Sequence, residues 1–260
     1  MHVLAICATC GRHSLLERSL RLFLEQDYVG EHTLLIYNNS AVPQRLAPLQ
    51  LPDNKHVMLI NNNINSLTGL QYSSLGAIYN DIIKNVDPTI YPIITHWDDD
   101  DLFLPSHITQ GVWGLMKWGT LAYKPKYSYY RSAEGIVLSE NTLEPSIFVD
   151  TNHIKKYGYS LETTEQHLQW VNPLKKEGEI TVDREGIPTL IYNWGDVERF
   201  TFKTSGDFRN PENFNNYRTH SVDHGDYVVT PWNKEEVEIY YNQVKNVKKN
   251  SKEYGLKLPK

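Results

Sequence analysis

The stretch Trp97-Asp98-Asp99-Asp100-Asp101-Leu102 places four consecutive carboxylates directly after a short apolar segment, Tyr91 to His96. That segment predicts a buried strand, so the aspartates fall where a strand ends. Carboxylates a few ångströms apart repel one another, and burying one is costly unless it is paired or binds a metal. Oxygen ligands suit Mg²⁺ or Mn²⁺, and open α/β sheets bind ligands beyond the carboxyl ends of their strands. The run therefore predicts a site for a divalent metal and a diphosphate.

Two other structures could account for such a run. One is a solvated turn or helix cap, because Pro105-Ser106 could open a helix, but a plain turn has no need of four charges. The other is a calcium-binding EF-hand loop, which counted from Asp98 requires glycine at its sixth position and glutamate at its twelfth. The chain has Phe103 and Thr109 there. An EF-hand is thus excluded, and the metal–diphosphate site is favoured over a turn.

Length and composition are those of a soluble globular protein. The chain has 260 residues, of which 40% are hydrophobic and 22% charged, and we predict a single domain over residues 1–260. No apolar stretch approaches the ~20 residues that a bilayer requires, and Met1–Cys7 lacks the basic start of a signal peptide. We therefore expect a cytoplasmic protein with no membrane insertion. The net charge of −5 argues against a generally basic nucleic-acid-binding surface.

Strand and helix patterns alternate in the first half of the chain. Apolar runs that end in polar residues predict three strands before the acidic run, at Val3 to Ala8, Thr33 to Tyr37 and His56 to Ile60. A capping box, Ser14-Leu-Leu-Glu17, predicts the first helix, and Leu70 to Val86 predicts the second. This order predicts an α/β fold with a mostly parallel, doubly wound sheet flanked by helices.

The second half of the chain predicts a mixed architecture of helices and strands. The expected helices are 108–118 and 161–174, the expected strands are 121–130, 145–149 and 188–194, and a long polar loop is expected over 204–232. Lys234 to Lys252 predicts a C-terminal helix with one apolar side and several lysines. A helix packed on the body with a solvated basic face is favoured over a polyanion-binding element.

Cys7 and Cys10 form a C-x-x-C at the end of the first strand. This spacing imitates a redox turn, but two thiols are too few for a structural zinc site. Small thiols at strand ends are common packing residues, and packing is the favoured interpretation.

Several short motifs occur together in a recognisable order: Ala8-Thr-Cys-Gly-Arg12, Leu15-Leu-Glu-Arg-Ser-Leu20, Gln26-Asp-Tyr28, Asn38-Asn39-Ser40 and Trp97-Asp-Asp-Asp-Asp-Leu-Phe-Leu-Pro105. In this order and spacing the chain resembles the family 2 glycosyltransferases of the GT-A fold. The resemblance covers residues 1–110, with weaker similarity up to residue 206. It implies one GT-A domain over residues 1–260. Residues 1–110 would form the nucleotide-sugar-binding half, residues 111–206 a mixed acceptor-side and catalytic half, and residues 207–260 a loop and the C-terminal helix.

The resemblance also implies roles for the acidic run and the first turn. Asp98 matches the carboxylate near the donor ribose, and Asp100 matches the one that coordinates a divalent metal, Mn²⁺ or Mg²⁺, on the diphosphate. Asp98 is expected as a second metal ligand and Asp99 as part of the donor site. Thr9 and Arg12 match the turn that contacts the nucleotide.

The position that reads the uracil departs from the family pattern. An aspartate is usual there, whereas this chain has Asn38 and Asn39. An asparagine oxygen can still accept a hydrogen bond from the uracil N3–H, so a UDP-sugar is the expected donor.

The family resemblance implies inverting sugar transfer with a carboxylate base from a Glu-Asp pair. The segment Tyr157 to His167 resembles the region of that pair, but Gln166 stands where aspartate is expected, and glutamine cannot act as a base. Glu165 is the first candidate for the catalytic base, and Glu162 is the second.

Two acceptors and two rival functions stay open. The acceptor is either a saccharide or a hydroxymethylated base in DNA, because some compact relatives are encoded by bacteriophages and modify DNA in the host cytoplasm. A nucleotidyltransferase is one rival, although it normally opens with a glycine-rich basic loop and Thr9–His13 has a single glycine. A non-catalytic nucleotide-sugar- or DNA-binding module is the other.

Overall fold

The computed structural model describes residues 1–132, 135–141, 143–162, 165–193 and 227–250. The strands are β1 (Val3–Thr9), β2 (His32–Asn38), β3 (Gln44–Leu46), β4 (Lys55–Asn61), β5 (Ile93–His96), β6 (Leu102–Phe103), β7 (Ala122–Pro125), β8 (Tyr127–Ser132), β9 (Gly135–Glu140), β10 (Phe148–Asp150), β11 (Ile180–Asp183), β12 (Leu190–Asn193) and β13 (Tyr227–Val229). The helices are α1 (His13–Leu24), α2 (Leu75–Lys84), α3 (His107–Trp118), α4 (Thr151–Tyr157), α5 (Leu168–Glu177) and α6 (Lys234–Asn250), with a 3₁₀ turn at Glu144–Ser146.

Seven strands form the central sheet in the order β11-β7-β10-β5-β1-β2-β4. Only β10 runs antiparallel to its neighbours in this sheet, and the other pairs are parallel. The register aligns Thr9 with Asn38 and Asn38 with Asn61, so β1, β2 and β4 end at the same level. The polar residues that follow these strands therefore meet at one edge of the sheet.

Apolar side chains cover both faces of this sheet. Alternate residues of β1 enter opposite cores, with Val3 and Ala5 on the side of α1 and α3, and Leu4 and Ile6 on the side of α2, α4 and α5. Central strands covered on both sides need apolar residues at every position, which is why β1 reads as a continuous apolar run. The predicted α/β fold with a mostly parallel sheet flanked by helices is confirmed.

Two smaller sheets complete the molecule. One has the order β6-β12-β8-β9, and the other pairs β13 with β3. The C-terminal helix α6 packs on the body through buried Val237 and Val244, as the sequence predicts. Lys245 on this helix is exposed, and Lys252 lies outside the described residues.

The starts of two helices differ from the sequence prediction. Helix α1 begins at His13, so Ser14 lies inside the helix and the predicted capping box is wrong. Helix α2 begins at Leu75 rather than Leu70, because the Ser74 hydroxyl caps it by accepting from the Ala77 N–H at 3.2 Å. Local cap patterns recur by chance, and tertiary contacts select which one is used.

The second half contains more elements than predicted. The expected strand 121–130 is split at Lys126, whose N–H donates to the Asp183 carbonyl at 2.7 Å, and a hairpin partner, β9, follows it. Helix α4 and strand β11 were not predicted, and the helix expected over 161–174 begins only at Leu168. Of the loop expected over 204–232, residues 204–226 lie outside the described part, and the rest contains β13.

Within the described residues, no helix combines the length and the apolar character needed to cross a bilayer.

Candidate functional site

The carboxyl ends of β1, β2, β4 and β5 form one polar edge of the sheet. The Asn39 N–H donates to the Thr9 carbonyl at 2.9 Å, and the Asn62 N–H donates to the Asn38 carbonyl at 3.0 Å. The Trp97 N–H donates to the Ile6 carbonyl at 2.8 Å, which fixes the start of the acidic run beside β1. Open α/β sheets bind ligands at this edge.

Three aspartates of the acidic run converge. Asp98, Asp100 and Asp101 each offer a carboxylate oxygen, and these oxygens lie within 4.8 Å of one another. Asp98 is half-buried, whereas Asp100 and Asp101 are buried. Clustered carboxylate oxygens are the donor set that Mg²⁺ or Mn²⁺ takes, so these residues fit a divalent cation.

Asp101 was not among the ligands predicted from the sequence. Its Oδ1 atom accepts a hydrogen bond from the Asn193 N–H at 3.0 Å, and the side-chain oxygen of Asn193 accepts from Arg131 Nη1 at 2.9 Å. These contacts tie the acidic run to β12 and β8 of the second sheet. The only signal for Asp101 in the sequence was its place next to Asp100.

Asp99 takes a different part in the site. Its side chain is fully buried and accepts hydrogen bonds from Thr9 Oγ1 at 2.6 Å and from Arg12 Nε at 3.1 Å. A second nitrogen of Arg12 pairs with the other Asp99 oxygen, and Arg12 Nη1 lies 3.2 Å from Asp100 Oδ2. Burial raises the pKa of Asp99, and the Arg12 charge opposes this rise. Thr9 and Arg12 therefore fix the Asp99 side chain, and Arg12 also contacts Asp100 of the acidic run.

Arg18 is a buried arginine that the sequence analysis missed. It lies on the apolar side of α1 and donates to the Asp100 carbonyl at 2.9 Å. Its guanidinium stands 5.9 Å from the Trp232 ring and 5.8 Å from the Tyr240 ring. A charged residue on the buried side of a helix was the available signal. Arg18 links the acidic run to the C-terminal helix.

Asn38 and Asn39, expected near a uracil, are both buried. The Asn38 amide nitrogen donates to the Val42 carbonyl and to Asn61 Oδ1, both at 2.9 Å, and its oxygen accepts from the Ser40 N–H at 3.2 Å. These bonds shape the turn after β2. A role for either asparagine in reading the base stays a prediction.

The two predicted bases lie on the surface before α5. Glu162 and Glu165 are exposed, and Glu165 has a left-handed backbone with φ of 58°. The Glu162 carbonyl accepts from the Gly76 N–H at 3.2 Å, and the Glu165 carbonyl accepts from the Leu168 N–H at 2.9 Å. The structure therefore places them in a loop and not on the helix that the sequence predicts.

A buried carboxylate lies next to Gln166. Glu144 Oε2 accepts from Gln166 Nε2 at 3.0 Å and lies 3.1 Å from His167 Nδ1, while Glu144 Oε1 lies 3.0 Å from His96 Nε2. Burial raises the pKa of Glu144, but the two imidazoles outweigh it and hold that pKa below the usual range. The sequence gave no signal for this cluster, because its members are far apart along the chain.

The C-x-x-C thiols are buried, in agreement with a packing role. Burial raises the pKa of Cys7 well above its ordinary value, with further rises from Asp99 and Asp98. A protonated, enclosed thiol is a poor nucleophile, so a redox turn is not supported.

Comparison with solved structures identifies the fold. S. aureus TarS 1–349 in complex with UDP-GlcNAc matches 87% of this chain and 68% of that chain, with a TM-score of 0.54 and 12% identity. S. aureus TarS 1–349 matches 74% and 60% of the two chains, with a TM-score of 0.53 and 12% identity. The mannosyltransferase PcManGT from Pyrobaculum calidifontis, in complex with GDP-Man and Mn²⁺, matches 74% and 56%, with a TM-score of 0.51 and 11% identity.

The fold is GT-A-like. No family model and no curated protein sequence matches the chain, so the GT-A-like assignment rests on the three-dimensional structure. The matches span 56–68% of the lengths of these three chains. In this GT-A-like fold the acidic group of Asp98, Asp100 and Asp101 lies at the edge where the parallel strands end.

Proposed function

We propose that the protein is a metal-dependent glycosyltransferase that moves a sugar from a nucleotide sugar to a hydroxyl acceptor. The observation that carries this proposal is the acidic group of Asp98, Asp100 and Asp101 in a GT-A-like fold. One solved structure of that fold contains UDP-GlcNAc, and another contains GDP-Man and Mn²⁺. A UDP-sugar is the donor we propose, from the sequence resemblance and the TarS complexes.

Asp98 and Asp100, with Asp101, would hold Mn²⁺ or Mg²⁺. A bound cation of this kind stabilises the charge of a departing nucleoside diphosphate. Arg12, beside Asp99 and Asp100, offsets the repulsion among these carboxylates. Asp99 accepts hydrogen bonds from both Thr9 and Arg12, and so holds Arg12 in place beside the proposed donor site.

The transfer itself requires one proton to leave the acceptor. The acceptor hydroxyl attacks the anomeric carbon, its proton passes to a base, and the bond between that carbon and the diphosphate oxygen breaks with inversion. Glu165 and Glu162 are the bases that the sequence predicts. Replacing each by glutamine and measuring turnover tests them directly.

A saccharide is the acceptor we propose. Hydroxymethylated DNA is the alternative acceptor, because the lysines of α6 could contact its phosphates. The net charge of −5 on the whole chain disfavours DNA binding and makes a saccharide our choice. Incubating the protein with Mn²⁺, a donor and each acceptor class, followed by mass spectrometry, distinguishes the two. A gain in mass equal to one sugar residue identifies the acceptor.

The donor site is tested by calorimetry with UDP-GlcNAc and GDP-mannose, each with and without Mn²⁺. We expect Mn²⁺-dependent binding of a nucleotide sugar, weakened at least ~10-fold by Asp100→Asn or Asp101→Asn, as for loss of a metal-site partner. Asp53→Asn, which changes an exposed aspartate elsewhere, is the matched control and should bind as the unsubstituted protein does.

Different results point to the rival functions. Release of pyrophosphate from a nucleoside triphosphate would indicate a nucleotidyltransferase. Donor binding with neither transfer nor hydrolysis would indicate a non-catalytic module. Folded protein that binds no nucleotide sugar with either Mn²⁺ or Mg²⁺ would contradict a transferase altogether.

A further inference from the structure

We infer that His167 is the catalytic base of the proposed transfer and that Glu144 is the residue that positions it. This inference rests on the proposed function and replaces Glu165 and Glu162 in the base role. The observation behind it is a side-chain pair, Glu144 with His167, at the place where the sequence lacks the expected aspartate.

The pair lies next to Gln166, the residue in the position of the expected base. Gln166 Nε2 donates to Glu144 Oε2 at 3.0 Å, and His167 Nδ1 lies 3.1 Å from that same oxygen. A glutamine cannot take a proton, but it can hold a carboxylate in place. The chain thus has a buried carboxylate and an imidazole where a single carboxylate is expected.

The pair is also close to the acidic group. Glu144 Oε1 lies 3.0 Å from His96 Nε2, and His96 stands two residues before Asp98, so their Cα atoms are at most about 7 Å apart. The Tyr79 ring lies 4.8 Å from the His96 ring, and the charges of Asp98 and Glu144 both add to the rise in its pKa that burial causes. An acceptor hydroxyl near His167 would therefore be near a donor held by Asp98.

Accessibility separates the roles of the two side chains. The Glu144 side chain is 9% exposed and the His167 side chain is 17% exposed, while the His167 Nδ1 atom that faces Glu144 is buried. Glu144 is therefore enclosed by protein, and His167 is the member of the pair that an acceptor can reach. Glu165 and Glu162 are exposed without a charged partner at a comparable distance among the described contacts.

The groups that face the pair come from four elements. His96 reaches it from β5, Gln166 from the loop before α5, and Tyr159 from the loop after α4, where its hydroxyl lies 2.7 Å from His96 Nε2. Tyr79 approaches it from α2, with its ring 4.8 Å from the His96 ring. Apart from Glu144, the ionisable neighbours are thus a buried histidine whose pKa burial lowers and two tyrosines whose pKa burial raises. Glu144 is the one negative charge beside His167 in this set.

The proposed step moves one proton and exchanges one glycosyl bond. The acceptor O–H proton passes to the outer nitrogen of His167, the acceptor oxygen forms a bond to the anomeric carbon, and the nucleoside diphosphate leaves with the bonding electrons. The carboxylate of Glu144 stabilises the imidazolium that results. His167 then returns the proton to solvent.

His167→Ala, Glu144→Gln and the exposed-histidine control His56→Gln test the pair. The measurements are Mn²⁺-dependent release of nucleoside diphosphate from UDP-GlcNAc and GDP-mannose, and calorimetric binding of the same donors. We expect His167→Ala to lower turnover by about 10²–10⁴-fold with donor affinity unchanged. Added imidazole should restore part of that turnover. Glu144→Gln should lower kcat with little change in KM for the donor, and His56→Gln should resemble the unsubstituted protein.

Several outcomes would overturn the assignment of the pair. One is turnover by His167→Ala within threefold of the unsubstituted protein. Another is a loss of turnover in His167→Ala that imidazole does not restore. A third is abolished turnover in Glu165→Gln or Glu162→Gln. In each case donor binding would still stand, and with it the transferase. Absence of donor binding and hydrolysis in the unsubstituted protein would overturn the proposed function, and the pair with it.

Discussion

Identical residues take different roles at this site according to what surrounds them. The carboxylates of Asp98, Asp100 and Asp101 share one space, whereas Asp99 accepts hydrogen bonds from Thr9 and Arg12. From the acidic run alone, a metal ligand cannot be told from a structural aspartate, because both roles use the same side chain. The partners come from another part of the chain and are brought in by the β1–β5 pairing.

Arg12→Ala should destabilise the protein, because it leaves the fully buried carboxylate of Asp99 without its cation. Breaking one side of a buried pair costs about 3–5 kcal/mol, and we expect a loss in this range in the free energy of unfolding measured with urea. The double variant Arg12→Ala/Asp99→Asn removes the orphaned charge as well.

In a double-mutant cycle, the double variant should therefore be less destabilised than the sum of the two single variants. A coupling energy of about 0.5–3 kcal/mol is the expected range for groups in contact. Strict additivity would show that Arg12 and Asp99 contribute independently, contrary to the observed pairing.

At the scale of elements, helix α3 approaches the sheet closely through two glycines. A Cβ added at Gly111 would lie 2.1 Å from the Phe148 ring, and one at Gly114 would lie 2.4 Å from the Tyr123 ring. The rings of β10 and β7 occupy the space that larger residues of α3 would need. Helix α3 therefore packs directly on the paired strands β10 and β7.

Gly111→Ala should therefore destabilise the protein although alanine favours helices. The gain in helix propensity is about 1 kcal/mol, and overpacking against a ring costs typically about 1–3 kcal/mol, so we expect a net loss in thermal and urea unfolding. Met116→Ala, on the exposed side of the same helix, should change stability by no more than about 0.5 kcal/mol. A more stable Gly111→Ala protein would show that α3 can move away from Phe148.

Elements were predictable where their pattern is local. The strands predicted at Val3, Thr33 and His56 have nearly continuous apolar runs, and their positions agree with β1, β2 and β4. Helix α4 (Thr151–Tyr157) and strand β11 (Ile180–Asp183) were missed because polar and charged residues interrupt their apolar positions. The helix expected over 161–174 begins late because the Glu162 carbonyl contacts α2 and the Gln166 side chain contacts Glu144, and both residues lie before the first helical residue, Leu168.

At the scale of the whole molecule, several histidines are buried in the folded protein with lowered pKa values. Burial lowers the pKa of His32 and of His96, and it lowers the pKa of His107 to about 3. The His107 ring packs against Trp97, Phe103 and Phe148, and its Nδ1 lies 2.8 Å from Thr189 Oγ1. Such groups couple the stability of the whole fold to pH.

Stability should fall as the pH is lowered below about 6.5, the ordinary histidine value. The unfolded chain binds a proton at His107 in the window from about 6.5 down to about 3, while the folded protein does not, so protons favour unfolding there. The free energy of unfolding should drop between pH 6.5 and pH 5, and this drop should be smaller by about 2 kcal/mol in His107→Gln than in the unsubstituted protein. Urea unfolding of both proteins at the two pH values measures the difference. Equal losses in both proteins would show that His107 is protonated in the folded state.

The sequence by itself determined the alternation of strands and helices, the apolar central strands and the acidic run at a strand end. These are patterns within a few neighbouring residues, and burial imposes them directly on the order of side chains. The placement of Thr9, Arg12 and the aspartates in one donor site came instead from the resemblance to a known family, and not from a local pattern.

Only the tertiary structure decided which side chains meet. It separated Asp99 from the other three aspartates, added Arg18 and Asn193, and brought Glu144 to Gln166 and His167 across 22 and more positions. Such contacts depend on how helices and strands pack, and the residues that make them carry no shared local pattern. The side chains beside the expected base therefore became visible only in the folded molecule.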